Sequence, residues 1–81
     1  MKQLLTDLAK SIVNCPDKVR VSERVEGDTV YLGLKVDESD LGKVIGKQGR
    51  IAKAIRTIVR AVAGHDDKRV VVDILEGDEE L

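Results

Sequence analysis

Tryptophan and phenylalanine are absent from this chain, and tyrosine, cysteine, proline, methionine and histidine occur once each. With Tyr31 as the sole aromatic, the chain lacks the row of exposed rings on which RRM and OB-fold proteins stack bases. Cys15 has no partner for an internal disulfide, and together with His65 it offers too few soft ligands for a structural zinc site. One cysteine, one histidine and no glycine-rich loop ending in G-K-S or G-K-T leave no nucleophile–base pair to name, so no enzyme, metal or cofactor is expected. No apolar run approaches the roughly 20 residues that span a bilayer. The opening MKQLLTDLAKSIV is broken by Asp7 and Lys10, where a signal peptide needs an unbroken apolar stretch. The expectation is a cytoplasmic protein that neither enters nor crosses a membrane.

What remains is a chain of 81 residues, 42% hydrophobic and 36% charged, a balance that suits one globular domain. A domain of this size buries only about 60% of the surface of its unfolded chain, which leaves a thin core and little room for a deep cavity. The net charge of −1 argues by itself against a nucleic-acid partner, but the charge is segregated. Between Leu41 and His65 stand Lys43, Lys47, Arg50, Lys53, Arg56 and Arg60 with no acidic residue. That stretch carries +6, so the net −1 leaves −7 for the remainder. Segregated charge builds a local field that attracts an anion even when the total is near zero.

Hydrophobic spacing organises the chain. Met1, Leu4, Leu5, Leu8, Ala9, Ile12 and Val13 recur with helical period until Asn14, Cys15, Pro16 and Asp17 stop it. Val19, Val21 and Val25 mark one strand, Glu26, Gly27 and Asp28 supply a turn, and Val30, Leu32, Leu34 and Val36 alternate along a second. Asp37 to Asp40 offer helix caps before a one-turn segment, LGKVI. Gly46, Lys47, Gln48 and Gly49 interrupt it, and RIAKAIRTIVRAVA resumes a helix that Gly64 is expected to end. Val70 to Leu75 read as a last strand. The order helix, strand, strand, helix, helix, strand implies an α+β fold. Two strands pair antiparallel through the tight turn, and the helical crossover permits parallel pairing of the second with the last. The result is a mixed three-stranded sheet with three helices on one face. Residues 1–76 form that domain, and 77–81 are an acidic tail.

The informative stretch is VIGKQGR, residues 44–50. Glycines at 46 and 49 let the backbone approach a ligand closely and adopt angles closed to other residues. The helix that follows directs the positive end of its dipole to the same point, where Lys47 and Arg50 add charge. A lone G-x-x-G is often only a tight turn, and the strands on both sides with the acid-free basic stretch are what favour a phosphate site. On the long helix, Arg50, Lys53, Arg56, Thr57 and Arg60 share one face, which reads as a binding stripe near the loop and as a solvated face further away. Gly42 reads equally as a close-packing residue or a contact, and Gly33 as a strand irregularity.

The run SDLGKVIGKQGRIAKAIRTIVRA, within this order of elements, resembles a KH domain of the bacterial type II form, and in particular the small stand-alone bacterial RNA-binding members. The resemblance implies single-stranded RNA bound as four nucleotides in a groove. Gly46, Lys47, Gln48 and Gly49 would clamp its backbone, Val44, Ile45 and Ala52 would offer apolar surface to bases, and the last strand would form the far wall. Lys43, Arg50 and Lys53 border that groove. Many KH domains place isoleucine three positions after the second glycine, whereas this chain has Ala52 there and Ile51 one position earlier. The family further implies an RNA chaperone or post-transcriptional regulator tied to cell-envelope growth and cell length, working with a larger KH protein of the Jag type. A homodimer is expected separately, because the apolar arc of the long helix spans about 200° with its alanines, more than the ~100° that packing on one sheet needs. Two rival readings stand beside this one. One is a helix-hairpin-helix module for duplex DNA, whose glycines usually sit two apart. The other is a protein-interaction domain without RNA.

Overall fold

The computed structural model describes residues 2–64 and 69–75. His65, Glu76 and the acidic tail 77–81 lie outside the described residues. The α+β architecture has the expected order: α1 (Lys2–Ile12), β1 (Arg20–Glu26), β2 (Thr29–Lys35), α2 (Leu41–Ile45), α3 (Arg50–Ala63) and β3 (Arg69–Ile74). β2 is the central strand, antiparallel to β1 and parallel to β3. Gly27, at φ 61°, makes the tight β1–β2 turn.

Alternation decides which side of the sheet is dry. Val30, Leu32, Leu34, Val70 and Val72 are buried under the helices, and Leu5, Ala9, Val44, Ile55, Val59 and Ala63 meet them from above. Each valine, leucine or isoleucine among them contributes roughly 1.5–3 kcal/mol on leaving water, the alanines less. The opposite face carries Ser22, Arg24, Tyr31, Gly33, Lys35, Val71 and Asp73, and no helix among the described residues covers it. Gly33 pairs in regular register with Ser22 and Asp73, so the expected strand irregularity is absent. Gly64 keeps right-handed angles and donates its N–H to Arg60 O, so α3 does not end in a left-handed glycine cap.

Asp37, not Asp40, caps the approach to α2. Its carboxylate accepts from the amide and the hydroxyl of Ser39, and these bonds hold its pKa below the ordinary value. The stabilisation is therefore present at neutral pH and is lost as pH falls through the lowered folded value. Asp40 is instead fully buried. Its two oxygens accept from the amides of Asn14, at 3.0 Å, and Cys15, at 2.9 Å. One carboxylate thus ties the end of α1 to the start of α2. Replacing Asp40 with asparagine would turn a donor toward one of those amides. Hydrogen bonds to a charged group contribute about 1.5–3 kcal/mol, so Asp40→Asn, which spoils one bond, should lose about 2 kcal/mol, a fall in Tm on the order of 10 °C, and Asp40→Ala, which removes both, should lose more. Thermal melts followed by circular dichroism test this, with Glu38→Gln, on the exposed side of the same turn, expected to stay within about 0.5 kcal/mol of the parent.

Candidate nucleic-acid interface

The basic turn owes its position to what α2 buries. Val44 points into the core with no exposed surface, Leu41 and Ile45 pack against it in part, and Gly42 and Lys43 face outward. A five-residue helix anchored through one valine must end almost where it starts. Gly46 ends it with φ 74° and ψ 176°, a conformation essentially confined to glycine. A Cβ there would lie 2.3 Å from Ile51 Cγ1 and 2.9 Å from the Ile51 backbone nitrogen. Lys47–Gly49 form a single 3₁₀ turn in which Gln48, at φ 56°, and Gly49, at φ 75°, are left-handed before α3 begins at Arg50. The turn also uses its own amides, since Gly49 N–H donates to Gly46 O and Arg50 N–H to Lys47 O. Side-chain charge therefore carries more of any anion binding than a set of free helix-end amides would.

Lys43, Lys47, Gln48, Arg50 and Lys53 are all exposed, and Gly46, Gly49 and Ile45 are half-buried. The expectation for Val44 and Ala52 needs correction. Both side chains are buried, at 0% and 4% exposure, because each faces the core from its helix, so neither offers surface to a base. The exposed apolar side chain beside the turn is Ile51, at 39%. The basic face of α3 also divides. Arg56 is half-buried and its Nε donates to Val72 O at 3.1 Å, covering a carbonyl on the free edge of β3. Arg60 lines a shallow recess with Ala63, Arg69, Val70 and Val71. Arg69 was not singled out by sequence pattern, since only the return of β3 alongside α3 brings it there.

Cys15, Asp37 and Asp40 place potential ligand atoms within 4.8 Å of one another. Asp40 is occupied by two backbone amides and Asp37 by Ser39. Burial, with the carboxylates of Asp40, Asp37 and Asp17, pushes the Cys15 thiol above its ordinary pKa. It stays protonated at neutral pH, the form that neither ligates metals nor attacks electrophiles well.

Comparison with known proteins adds to this geometry. The family described as KhpA/KhpB, KH domain matches residues 2–74. The chain belongs to this KH-domain family. Its relatives include the RNA-binding protein KhpA of Clostridium acetobutylicum, 60% identical over 75 residues, covering 93% of this chain and all of the relative. KhpA of Aquifex aeolicus is 53% identical over 77 residues, covering 94% of this chain and 96% of the relative. Among solved structures, Aquifex aeolicus Era bound to GDP.AlF4- superposes with a TM-score of 0.67 at 17% identity, covering 93% of this chain and 29% of that one. Era in complex with MgGDPNP and nucleotides 1506–1542 of 16S ribosomal RNA gives a TM-score of 0.60 at 19% identity, covering 90% and 28%. At such identity the likeness concerns the fold alone. Among the described residues no helix is long and apolar enough to cross a membrane.

The two glycines of the KH turn and the one before it have different tasks, which substitution separates. At Gly42 an added Cβ meets nothing within 4 Å, so close packing is not its reason for being glycine. Gly42→Ala should be neutral or stabilising by up to about 1 kcal/mol, from helix propensity. Gly46→Ala, with both the backbone angle and Ile51 against it, should lose about 2 kcal/mol or more. Urea denaturation of the two variants measures the difference directly.

Proposed function

We propose that this protein binds single-stranded RNA, with the sugar–phosphate backbone crossing the Gly46–Gly49 turn beside α3. One observation carries this reading: the glycine-bounded, left-handed turn is exposed at the junction of two helices, with Lys43, Lys47, Arg50 and Lys53 exposed around it. A turn needed only for packing would have no use for four cations. Ile45 and Ile51 supply the apolar surface for bases that Val44 and Ala52 do not. Gly42, open to solvent, lets a strand pass close to α2. The names of the relatives support RNA as the ligand; from the resemblance alone we further propose a cytoplasmic role as RNA chaperone or post-transcriptional regulator linked to envelope growth and cell length, with a Jag-type KH protein as partner.

Replacing Lys47 and Gln48 with aspartate tests the clamp. Both sites are exposed, both glycines are kept, and aspartate tolerates the left-handed angles of position 48. The melting curve should match the parent's, while fluorescence anisotropy with labelled single-stranded RNA should show binding at least ~10-fold weaker, about 1.4 kcal/mol. The parent should bind in the micromolar range or weaker, and log K should fall against log salt with a slope of about −1.4 to −2.8 for two to four phosphates. Unchanged affinity in the folded variant, or preference for duplex DNA, overturns the reading.

Self-association is a second part of the proposal. Ile58 and Val62, at 44% and 42% exposure, line one side of α3 beyond the turn, next to its buried stripe. A second copy packing on this side would link two weak RNA sites and raise their joint affinity through effective concentration. Sedimentation at high micromolar concentration should show a dimer that Ile58→Asp converts to monomer without loss of folding.

A further inference from the structure

The open face of the sheet has an order of its own. Across it, the register sets Arg24, Tyr31 and Val71 in one row and Ser22, Gly33 and Asp73 in the next, with Arg20 and Lys35 beyond. The middle row is nearly bare, because serine and glycine leave the backbone of β1 and β2 uncovered. The rows on either side of it are four residues apart, about 13 Å at ~3.3 Å per residue. The outcome is a recess of about 430 Å³, floored by Ser22 and Gly33 and bounded by Tyr31, Arg24, Val71, Asp73 and Leu75. Its width admits a single heterocyclic ring system, and its volume lies within the range of small-ligand sites.

Its chemistry is that of a base-binding surface. The Arg24 guanidinium carbon lies 4.7 Å from the centroid of the Tyr31 ring, and Arg24 Nε also lies 3.3 Å from Glu26 Oε1 in a solvent-exposed ion pair. Aromatic rings and guanidinium planes are the two protein surfaces on which unstacked bases pile. Asp73, at the rim, accepts hydrogen bonds only, so it favours a base edge bearing an exocyclic amine and disfavours uracil, whose edge sets two carbonyls around one N–H. A second recess adjoins the first at Leu75 and is lined by Lys18, Arg20, Lys35, Asp37, Glu38 and Leu41. Arg20 is oriented by bonds to the carbonyls of Asp17 and Val19. Leu41 opens α2, so this second recess leads from the open face toward the helix that ends in the Gly46–Gly49 turn.

Cations and carboxylates balance along the two recesses, Lys18, Arg20, Arg24 and Lys35 standing against Glu23, Asp37, Glu38 and Asp73, so the stacking surface rather than net charge identifies the occupant. We propose that this recess is a second RNA contact, which takes one unpaired adenine, cytosine or guanine over Gly33, stacked on Tyr31 and Arg24, with the adjoining phosphate at Lys18, Arg20 and Lys35. The proposal goes beyond the turn and stands without it.

The test separates the two sites by using the Lys47→Asp, Gln48→Asp double variant throughout. Titration of the ¹⁵N-labelled variant with the hexamer r(ACACAC) should shift the amides of Ser22, Gly33 and Asp73, and r(UUUUUU) should shift them at least ~3-fold less. Gly33→Val fills the recess with a strand-favouring residue and should abolish these shifts with no loss of Tm; Tyr31→Ala should weaken binding at least ~3-fold. Shifts confined to residues 42–53, or Gly33→Val binding r(ACACAC) as the double variant does, overturn the proposal. AMP or CMP alone reproducing the shifts at the hexamer's affinity would make this a free-nucleotide site and would overturn it equally. If the turn variant still binds RNA fully while Gly33→Val removes it, the turn reading fails and this one stands.

Discussion

Because β2 and β3 run in the same direction, the chain leaves the sheet at Lys35 and must return to its other end before it can pair again at Arg69. The fourteen residues of α3 span about 21 Å at 1.5 Å per residue, close to the ~20 Å length of β3. One helix therefore suffices for the return. The short α2 serves a different purpose, which is to carry the chain from the end of β2 to a point from which α3 can start over β3. Burial of Val44 and the Asp40 carboxylate fix α2 in place. The turn between the two helices has to be sharp, and the cheapest sharp turn in an α-helical path is one with left-handed residues. Gly46, Gln48 and Gly49 meet that need and, in doing so, place an exposed basic loop at one end of the sheet.

The cations of α3 separate by distance from that loop. Lys47, Arg50 and Lys53 stand free in solvent at its start, whereas Arg56, two turns on, is spent on a carbonyl of the free β3 edge. An uncovered edge strand invites pairing with other chains, and a guanidinium bonded to Val72 O blunts it. A charged helix face is thus partly a binding surface and partly a structural one. Counting its charges does not distinguish the two.

The KH fold leaves one side of a three-stranded sheet without a layer, and this chain treats that side as more than a solvated back. A residue pair as small as Ser22 and Gly33 at the centre of an open face gives up side-chain packing and β propensity. Regular register on both sides of Gly33 shows that no bulge or irregularity accounts for it. Room above the sheet is the remaining consequence of having glycine there, beside the only tyrosine and its stacked arginine.

By itself the sequence determined the order of elements, the mixed sheet, the bounds of α3 and the location of the turn, since all of these depend on hydrophobic period and on glycine, which are local properties of the chain. It marked Lys47 and Arg50 for the same reason: charges next to a glycine turn remain exposed whatever the packing. Tertiary structure decided which neighbours of the turn face inward. Val44 and Ala52 look from sequence as available as Ile45 and Ile51, and only the direction from which the core approaches each helix buries the first pair and exposes the second. It also decided that Asp40 staples rather than caps, that Arg56 covers a strand edge, and that Ser22, Gly33 and Asp73 lie in one row. Each of these relations joins residues far apart in the chain, and no local pattern carries the register or the side of approach that brings them together.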